Sequence, residues 1–273
     1  MKWADLHIHT YYSDSTSSPE EVIEAAHTIE LDCIAISDHD TMDGVRPTQE
    51  AAKKYNKEVI PAVELSTETN GRDIHILGYF FNGSNQAFNE RLNQMQDIRL
   101  ERMVEMIEKL KGLGVKDITL EEVAILAKSK SVGRPHLATI LMQKGHVSSI
   151  KMAFDQFLAE GKSAYVPKFK LSCADGIKLI HESGGIAVLA HPMVTGKDEI
   201  IAGLVRAGLD GMEVYYPNTG ENVINFYKGL AEKHGLLLTG GSDAHGQAKK
   251  NTWVGKVKIP YELVEKLKSY KRK

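Results

Sequence analysis

The chain is poor in cysteine, has no apolar run long enough for a membrane and carries only a slight excess of acidic over basic residues. Each shortage removes a class of protein. Its only two cysteines are Cys33 and Cys173. Cys33 sits in the apolar run Cys33-Ile34-Ala35-Ile36 and reads as a buried, reduced thiol. No apolar stretch approaches the roughly 20 residues that cross a bilayer. Met1-Lys2-Trp3-Ala4-Asp5 lacks the apolar core of a secretion signal, so a cytoplasmic protein is expected. A formal net charge of −2 argues against a broad basic face for duplex DNA or an anionic membrane, while leaving room for a local basic pocket. There is no internal repeat and no low-complexity tract. The basic end, Lys266 to Lys273, reads as a solvated helix terminus.

With 26% charged and 42% apolar residues, the composition is that of a globular protein with a large core. At 273 residues, one α/β barrel with an insert fits better than two equal domains, since such barrels reach about 250 residues as single units. Seven short apolar runs read as strands: Ala4–His9, Cys33–Ser37, Val59–Leu65, Ile74–Tyr79, Ile186–Ala190, Gly211–Tyr215 and Leu236–Thr239. Most are continuous rather than alternating, as in parallel strands buried on both faces. Amphipathic helices lie between them. Ser18-Pro19-Glu20-Glu21 is a helix start in which Ser18 caps, Pro19 suits the first turn and Glu21 reaches back, and Ser172 is a second cap. Alternating β and α elements imply a mainly parallel sheet, open or closed into a barrel. Residues 86–161 break this rhythm. Arg99–Leu113, Leu120–Lys128, Pro135–Lys144 and Ile150–Leu158 look helical, with no strand among them. The expected organisation is a β/α barrel from residues 1–85 and 162–273, with residues 86–161 as a helical insert covering the site.

The strongest chemical signal is Asp5-Leu6-His7-Ile8-His9. On a strand Asp5, His7 and His9 share one face, with the two imidazoles about 7 Å apart, close enough to converge on one cation. Alone, His-x-His could be two ordinary polar residues. Its company changes that. Asp38-His39-Asp40 follows the second strand, Glu64 ends the third, and His75 lies in the fourth. His191 follows the fifth, and Asp243 and His245 follow the seventh. Parallel barrel strands bring their C-terminal ends to one rim, so these groups should converge as a metal site. Chance seldom places charged and imidazole groups beside such apolar runs. Asp38 and Asp40 could be ligands, but orienting His39 from behind is the preferred role. His27, His181 and His234 fall in helices and read as surface or core-edge residues, and His146 as a loop residue.

These pieces resemble the PHP family, named for polymerase and histidinol phosphatase domains. The resemblance rests on Asp5-Leu6-His7-Ile8-His9-Thr10 with Asp14, Ser37-Asp38-His39-Asp40, Glu64, His75, Ala190-His191-Pro192 and Ser242-Asp243-Ala244-His245. It implies a distorted seven-stranded β/α barrel. It also implies a division of ligands: His7, His9, Glu64 and Asp243 on one metal; Glu64 bridging to a second with His75 and His191; and Asp14, His39 and His245 on a third. Some relatives have histidine where Asp14 stands, so the third site is expected to be weaker or exchangeable. With nitrogen and oxygen donors only, two to three divalent ions are expected, manganese first, with iron or zinc as alternatives.

Within the insert, Gly133-Arg134-Pro135-His136 and the later Ala164-Tyr165-Val166-Pro167 resemble the PHP phosphoesterases that act on nucleotides and short RNA. That resemblance implies removal of the 3′-phosphate from nucleoside 3′,5′-bisphosphates, or trimming of RNA from its 5′ end. Arg134 and His136 would hold the substrate phosphate, and Lys168 is a further candidate. An arginine fork suits phosphate oxygens. His7, His9, Glu64, Asp243 and His245 are the expected catalytic set for metal-assisted hydrolysis, with no serine or cysteine nucleophile. Within the enzyme class the rivals are a histidinol-phosphate phosphatase, which needs a pocket for imidazole and amine, and a DNA exonuclease, which usually accompanies a polymerase. Outside it, the rival is a metal-stabilised structural domain without turnover.

Overall fold

The computed structural model describes residues 1–128, 131–167 and 171–271. Lys168 lies outside the described residues. All seven expected strands form, as β1 (Trp3–Ile8), β2 (Cys33–Ile36), β3 (Glu58–Thr69), β4 (Arg72–Tyr79), β6 (Ile186–Leu189), β7 (Gly211–Tyr215) and β8 (Leu237–Gly240). Two short pieces join them, β5 (Leu171–Ser172) beside β3 and β9 (Ile259–Pro260) beside β1. The sheet runs in the order β8-β7-β6-β4-β3-β2-β1-β9. It nearly closes on itself where the chain after β8 meets the end of β1: Ile8 and Ala244 form a parallel bridge, with the His9 N–H donating to the Ala244 carbonyl at 3.0 Å.

The parallel expectation fails at one strand. β1–β2, β2–β3, β6–β7 and β7–β8 are parallel, but β4 runs antiparallel to both β3 and β6. The cause is local. Thr69 and Arg72 pair across a two-residue turn, Asn70-Gly71, both at positive φ (51° and 76°). Asn-Gly is the preferred pair for a tight hairpin turn. The reversal has a consequence for the site. His75 reaches the rim from the first half of β4, not from a strand's C-terminal end.

Helices α1 (Pro19–Thr28) and α2 (Val45–Ala52) cover β1 to β3. The α1 cap is the expected one: the Ser18 hydroxyl accepts from the Glu21 N–H at 3.1 Å, and the Glu21 carboxylate accepts from the Ser18 N–H at 2.8 Å. Between β4 and β5 come α3 (Gln86–Gly112), α4 (Leu120–Ala127), α5 (Arg134–Gln143) and α6 (Ile150–Ala153). The helix α3 begins thirteen residues earlier than its most regular apolar stretch suggests, capped by Asn85. Its first half packs Phe88, Leu92 and Met95 against barrel residues such as Leu65, Ile76 and Ile177. Its second half packs Met103, Met106, Ile107 and Leu110 into a separate core with Leu137, Leu141 and Val166. One helix therefore ties two cores together. The rest of the outer layer is α7 (Cys173–Glu182), α8 (Pro192–Thr195), α9 (Ile201–Arg206), α10 (Glu221–His234) and α11 (Tyr261–Ser269). Ser172 caps α7, accepting from the Asp175 N–H at 3.0 Å. No helix among the described residues is long and apolar enough to cross a membrane.

Candidate metal centre and the cavity beside it

On β1, residue alternation sends His7 and His9 to the inner face, both fully buried. Their Nε2 atoms lie 3.1 Å apart. Glu64 Oε2, from β3, is 3.2 Å from His7 Nε2 and 3.1 Å from His9 Nε2. Asp243 Oδ1 is 3.6 Å and 3.3 Å from the same two nitrogens. Glu64 turns its other oxygen to the next pair: His75 Nδ1 at 2.8 Å and His191 Nε2 at 3.0 Å. Asp14 Oδ1 lies 3.1 Å from His245 Nε2, and its Oδ2 lies 3.8 Å from His39 Nε2. All nine side chains singled out from the sequence thus meet at one rim. The donor atoms of eight of them fall into three overlapping groups able to hold an ion: His7, His9, Glu64 and Asp243; His39, Glu64 and His75; and His9, Asp14, His39 and His245; His39 stands in the second group where His191 was expected, and His191 touches it through Glu64. His39 and Glu64 sit between groups, with His39 Nδ1 3.3 Å from Glu64 Oε2.

The charge balance of the cluster favours added cations. Burial opposes charge on the three carboxylates. Even so, Glu64, Asp14 and Asp243 are held well below the ordinary carboxylate range by the imidazoles around them. Burial also opposes the imidazolium form of His7 and His9, yet Glu213 carries His7 well above its ordinary value and Asp243 and Glu64 carry His9 up to about 10. For His39 burial wins, and its pKa falls to about 3, which leaves a neutral ring with a free lone pair. Buried His39 Nδ1 and His191 Nδ1 have no hydrogen-bond partner among the described residues. Convergent lone pairs, unpartnered ring nitrogens and an all nitrogen-and-oxygen donor set fit divalent ions.

Several groups outside the expected set hold this arrangement. Glu213, in the middle of β7 and fully buried, accepts from His7 Nδ1 at 3.0 Å and from the His191 backbone N–H at 2.8 Å. That fixes the His7 tautomer and leaves Nε2 to face the cluster. Asp243 Oδ2 takes the Tyr216 hydroxyl at 2.7 Å and the Lys249 ammonium, so Oδ1 is the oxygen left for the histidines. Asp5, pushed up to about 6 by burial, accepts from the backbone N–H groups of Ser242 and Gly255 at 2.9 and 2.8 Å and fastens the final loop to β1. Gly241 makes this approach possible, because a Cβ there would lie 2.4 Å from the His7 backbone nitrogen. His191 and Asp243 adopt positive φ, 29° and 46°, backbone that is uncommon for non-glycine residues.

Asp38 and Asp40 differ from the expected role, since neither hydrogen-bonds the His39 ring. Asp38 takes Thr10 N–H at 2.7 Å and the Ser13 hydroxyl at 2.6 Å, shaping the loop that carries Asp14. Asp40 pairs with Arg99 of α3, with Nε at 2.8 Å. Away from the centre, His27 stacks on Tyr55, His146 meets Asp117 and His181 meets Asp210.

Beside the cluster lies a cavity of about 370 Å³, lined by Asp14, His39, His75 and His191 of the cluster together with Arg99, Arg102, Arg134 and Asp73. Arg134, the first residue of α5, donates from Nη1 to the Leu158 carbonyl at 3.2 Å and lies over the rings of Phe154 and Tyr165 at 5.7 and 5.6 Å. His136 is not among the cavity-lining residues. Its Nδ1 accepts from the Gly133 N–H at 3.1 Å, closing the turn that starts α5.

A buried His/Asp/Glu cluster on the rim of a β/α barrel, facing an arginine-lined cavity, defines a metal-dependent hydrolase of phosphate esters. The chain belongs to the PHP-domain family, whose domain matches residues 5–216. It is 34% identical over 246 residues to a 5′-3′ exoribonuclease of Haemophilus influenzae, spanning 88% of this chain and 89% of that one. It is 28% identical over 256 residues to a 3′,5′-nucleoside bisphosphate phosphatase of Chromobacterium violaceum, spanning 92% and 90%. Its fold matches the crystal structure of a Bifidobacterium adolescentis protein assigned as a metal-dependent phosphoesterase. The TM-score is 0.87 at 28% identity, over 97% of this chain and 94% of that one.

Proposed function

We propose that the protein removes the 3′-phosphate from nucleoside 3′,5′-bisphosphates and trims short RNA from its 5′ end, using two to three divalent ions, manganese foremost. The observation that carries this reading is the cavity itself. Asp14, His39 and His75, from two of the three donor groups, and His191 line a cavity that also carries three guanidinium groups, at a scale suited to one nucleotide. The relatives that act on bisphosphates and on RNA support it.

In this reading His7, His9, Glu64 and Asp243 hold one ion. Glu64, His75 and His191 hold a second, with His39 close enough to contribute, and Asp14, His39 and His245 hold a third. Ions bound there would lower the pKa of a water molecule towards about 7 and neutralise phosphoryl oxygens. The chain supplies the rest. Glu213 keeps the His7 proton on Nδ1. Tyr216 and Lys249 hold Asp243 Oδ2. Arg134, steadied between two rings and the Leu158 carbonyl, presents its remaining donors to a phosphate. His136 keeps a proton for substrate only on Nε2, because Nδ1 is taken by the Gly133 N–H, and by closing that turn it fixes where Arg134 begins its helix. Residues 86–161 act as an insert over the barrel formed by 1–85 and 162–273. Gly133, Arg134 and Phe154, all from the insert, line the cavity.

The test is a comparison of kcat/KM on manganese-loaded protein for adenosine 3′,5′-bisphosphate, p-nitrophenyl phosphate and histidinol phosphate. The bisphosphate should be preferred, since its second phosphate gives binding energy something to act through. A strong preference for histidinol phosphate would overturn the nucleotide reading and leave the metal-dependent phosphoesterase standing. No turnover of any ester would favour a structural domain.

A further inference from the structure

His39 belongs to two of the three donor groups, so its placement shapes both. Its ring is not held the way the His7 ring is. His7 has Glu213 on Nδ1, whereas His39 Nδ1 is buried without a hydrogen-bond partner among the described residues and its Nε2 stands 3.8 Å from Asp14, beyond hydrogen-bond reach. Orientation of this imidazole therefore falls to the main chain. That main chain is unusual: Asp40, the next residue, is left-handed with φ 54°, backbone uncommon for a non-glycine residue. The barrel fastens the turn through Glu64. The Asp40 N–H donates to the Glu64 carbonyl and the Glu64 N–H to the Asp38 carbonyl, both at 3.1 Å. The carbonyls of His39 and Asp40 go to the insert instead. The Ser131 hydroxyl donates to the His39 carbonyl at 2.7 Å, and Gln96 Nε2 donates to the Asp40 carbonyl at 3.2 Å. Ser131 and Gln96 are buried, and they come from separate parts of the insert, the segment before α5 and the first half of α3. A buried carbonyl stripped of its donor is costly, so each contact resists movement of the turn.

We propose that Ser131 and Gln96 are positioning residues for His39: by holding the two carbonyls of a left-handed turn, the helical insert sets the binding of the ion that His39 shares with Asp14 and His245. This rests on the ion assignment above and is independent of which ester is hydrolysed. If either carbonyl loses its donor, the peptide turns to find another and carries the His39 ring with it. A ligand atom must stand within about 0.2 Å of its proper distance from a metal, so a small rotation is enough to weaken the bond. The effect is selective. The group formed by His7, His9, Glu64 and Asp243 takes no ligand from residues 38–40, and its His7 ring is held independently by Glu213. Both Ser131 and Gln96 act through the main chain of His39 and Asp40. The insert is thereby coupled to metal loading as well as lining the cavity.

The experiment titrates metal-free protein with manganese by calorimetry, and a urea curve of each metal-free protein shows that the fold persists. Wild type should bind at least two ions in separable steps, and His39→Ala identifies the step that depends on this imidazole. Ser131→Ala and the volume-conserving Gln96→Met should each weaken that same step about tenfold, the low end for loss of a supporting contact, and change the others by less than about threefold. Ser131→Thr keeps the hydroxyl and should stay near wild type. Added to His39→Ala, Ser131→Ala should cause no further loss, because no ring is left to position. A merely structural serine would weaken every step alike, or weaken binding equally with and without His39, and either result would overturn the proposal. Unchanged ion binding in both Ser131→Ala and Gln96→Met would overturn it too, as would a His39→Ala protein that binds manganese like wild type. A wild type that binds one ion or none would instead overturn the ion assignment itself, and the proposal with it.

Discussion

Glu213→Gln changes one atom of a fully buried side chain and should cost the protein much of its affinity for metal. The native carboxylate accepts twice, from His7 Nδ1 at 3.0 Å and from the His191 backbone N–H at 2.8 Å. A glutamine has one accepting oxygen. The His191 N–H must keep an acceptor, because an unpaired buried donor costs about 1–3 kcal/mol. The amide oxygen therefore stays with His191 and the amide NH₂ faces His7. A donor there forces His7 Nδ1 to accept, which moves the ring proton to Nε2. That is the nitrogen 3.1 Å from His9 Nε2 and 3.2 Å from Glu64 Oε2. A protonated Nε2 has no lone pair for an ion. Loss of such a supporting partner typically weakens metal binding 10- to 100-fold, about 1.4–2.7 kcal/mol. Manganese or zinc titration against a competing chelator measures it directly, with a melting curve of the metal-free protein to show that the fold persists. Unchanged metal affinity in a folded Glu213→Gln protein would refute both the tautomer reasoning and the assignment of His7 Nε2.

Glu64 approaches His7, His9, His39, His75 and His191 within 3.3 Å, so Glu64→Gln should lower activity roughly 100-fold or more, whereas His27→Ala, which only loses a stack on Tyr55, should leave it near wild type. Equal rates in those two variants would place the site elsewhere. Chelation should abolish turnover and lower the melting temperature by on the order of 10 °C, the effect of losing about 4 kcal/mol of linked binding when free ion stands some thousandfold above Kd. A melting curve indifferent to chelator would contradict it. Burial raises the Asp40 carboxyl, but Arg99 pulls it net below the ordinary range. Its contribution is therefore complete above the unfolded value near 3.9 and fades as pH falls through the lower folded value. Arg99→Gln should cost about 3 kcal/mol at pH 7, with the gap to wild type narrowing below about pH 4. Urea midpoints across that range check the sign, and a constant gap would mean the ion pair is not its source.

Much of the site was legible because strands impose simple rules. His7 and His9 share a face by alternation, and Glu64, His191, Asp243 and His245 follow apolar runs whose ends share a rim. What escaped was of two kinds. Some signals were present and went unused. Asn70-Gly71 is a hairpin turn that reverses β4, and Glu213 is a carboxylate inside an otherwise buried strand, which asks for a partner. Others depend on tertiary direction. Arg99 and Arg102 have ordinary helix-surface spacing, and only the packing of α3 turns that face inward to the cavity. The positive φ of His191 and Asp243 has no local sequence mark, because it is imposed by the loops that bring them over the cluster.

The central claim is that this cluster makes water attack a nucleotide's 3′-phosphate. The most direct measurement is hydrolysis of adenosine 3′,5′-bisphosphate in oxygen-18 water by manganese-loaded protein, with products identified by mass and with Glu64→Gln and chelated protein as controls. The account predicts 5′-AMP and inorganic phosphate, one labelled oxygen in the phosphate and none in the nucleotide, and no reaction in either control. Label in the nucleotide, release of the 5′-phosphate instead, or full activity in the chelated protein would contradict it.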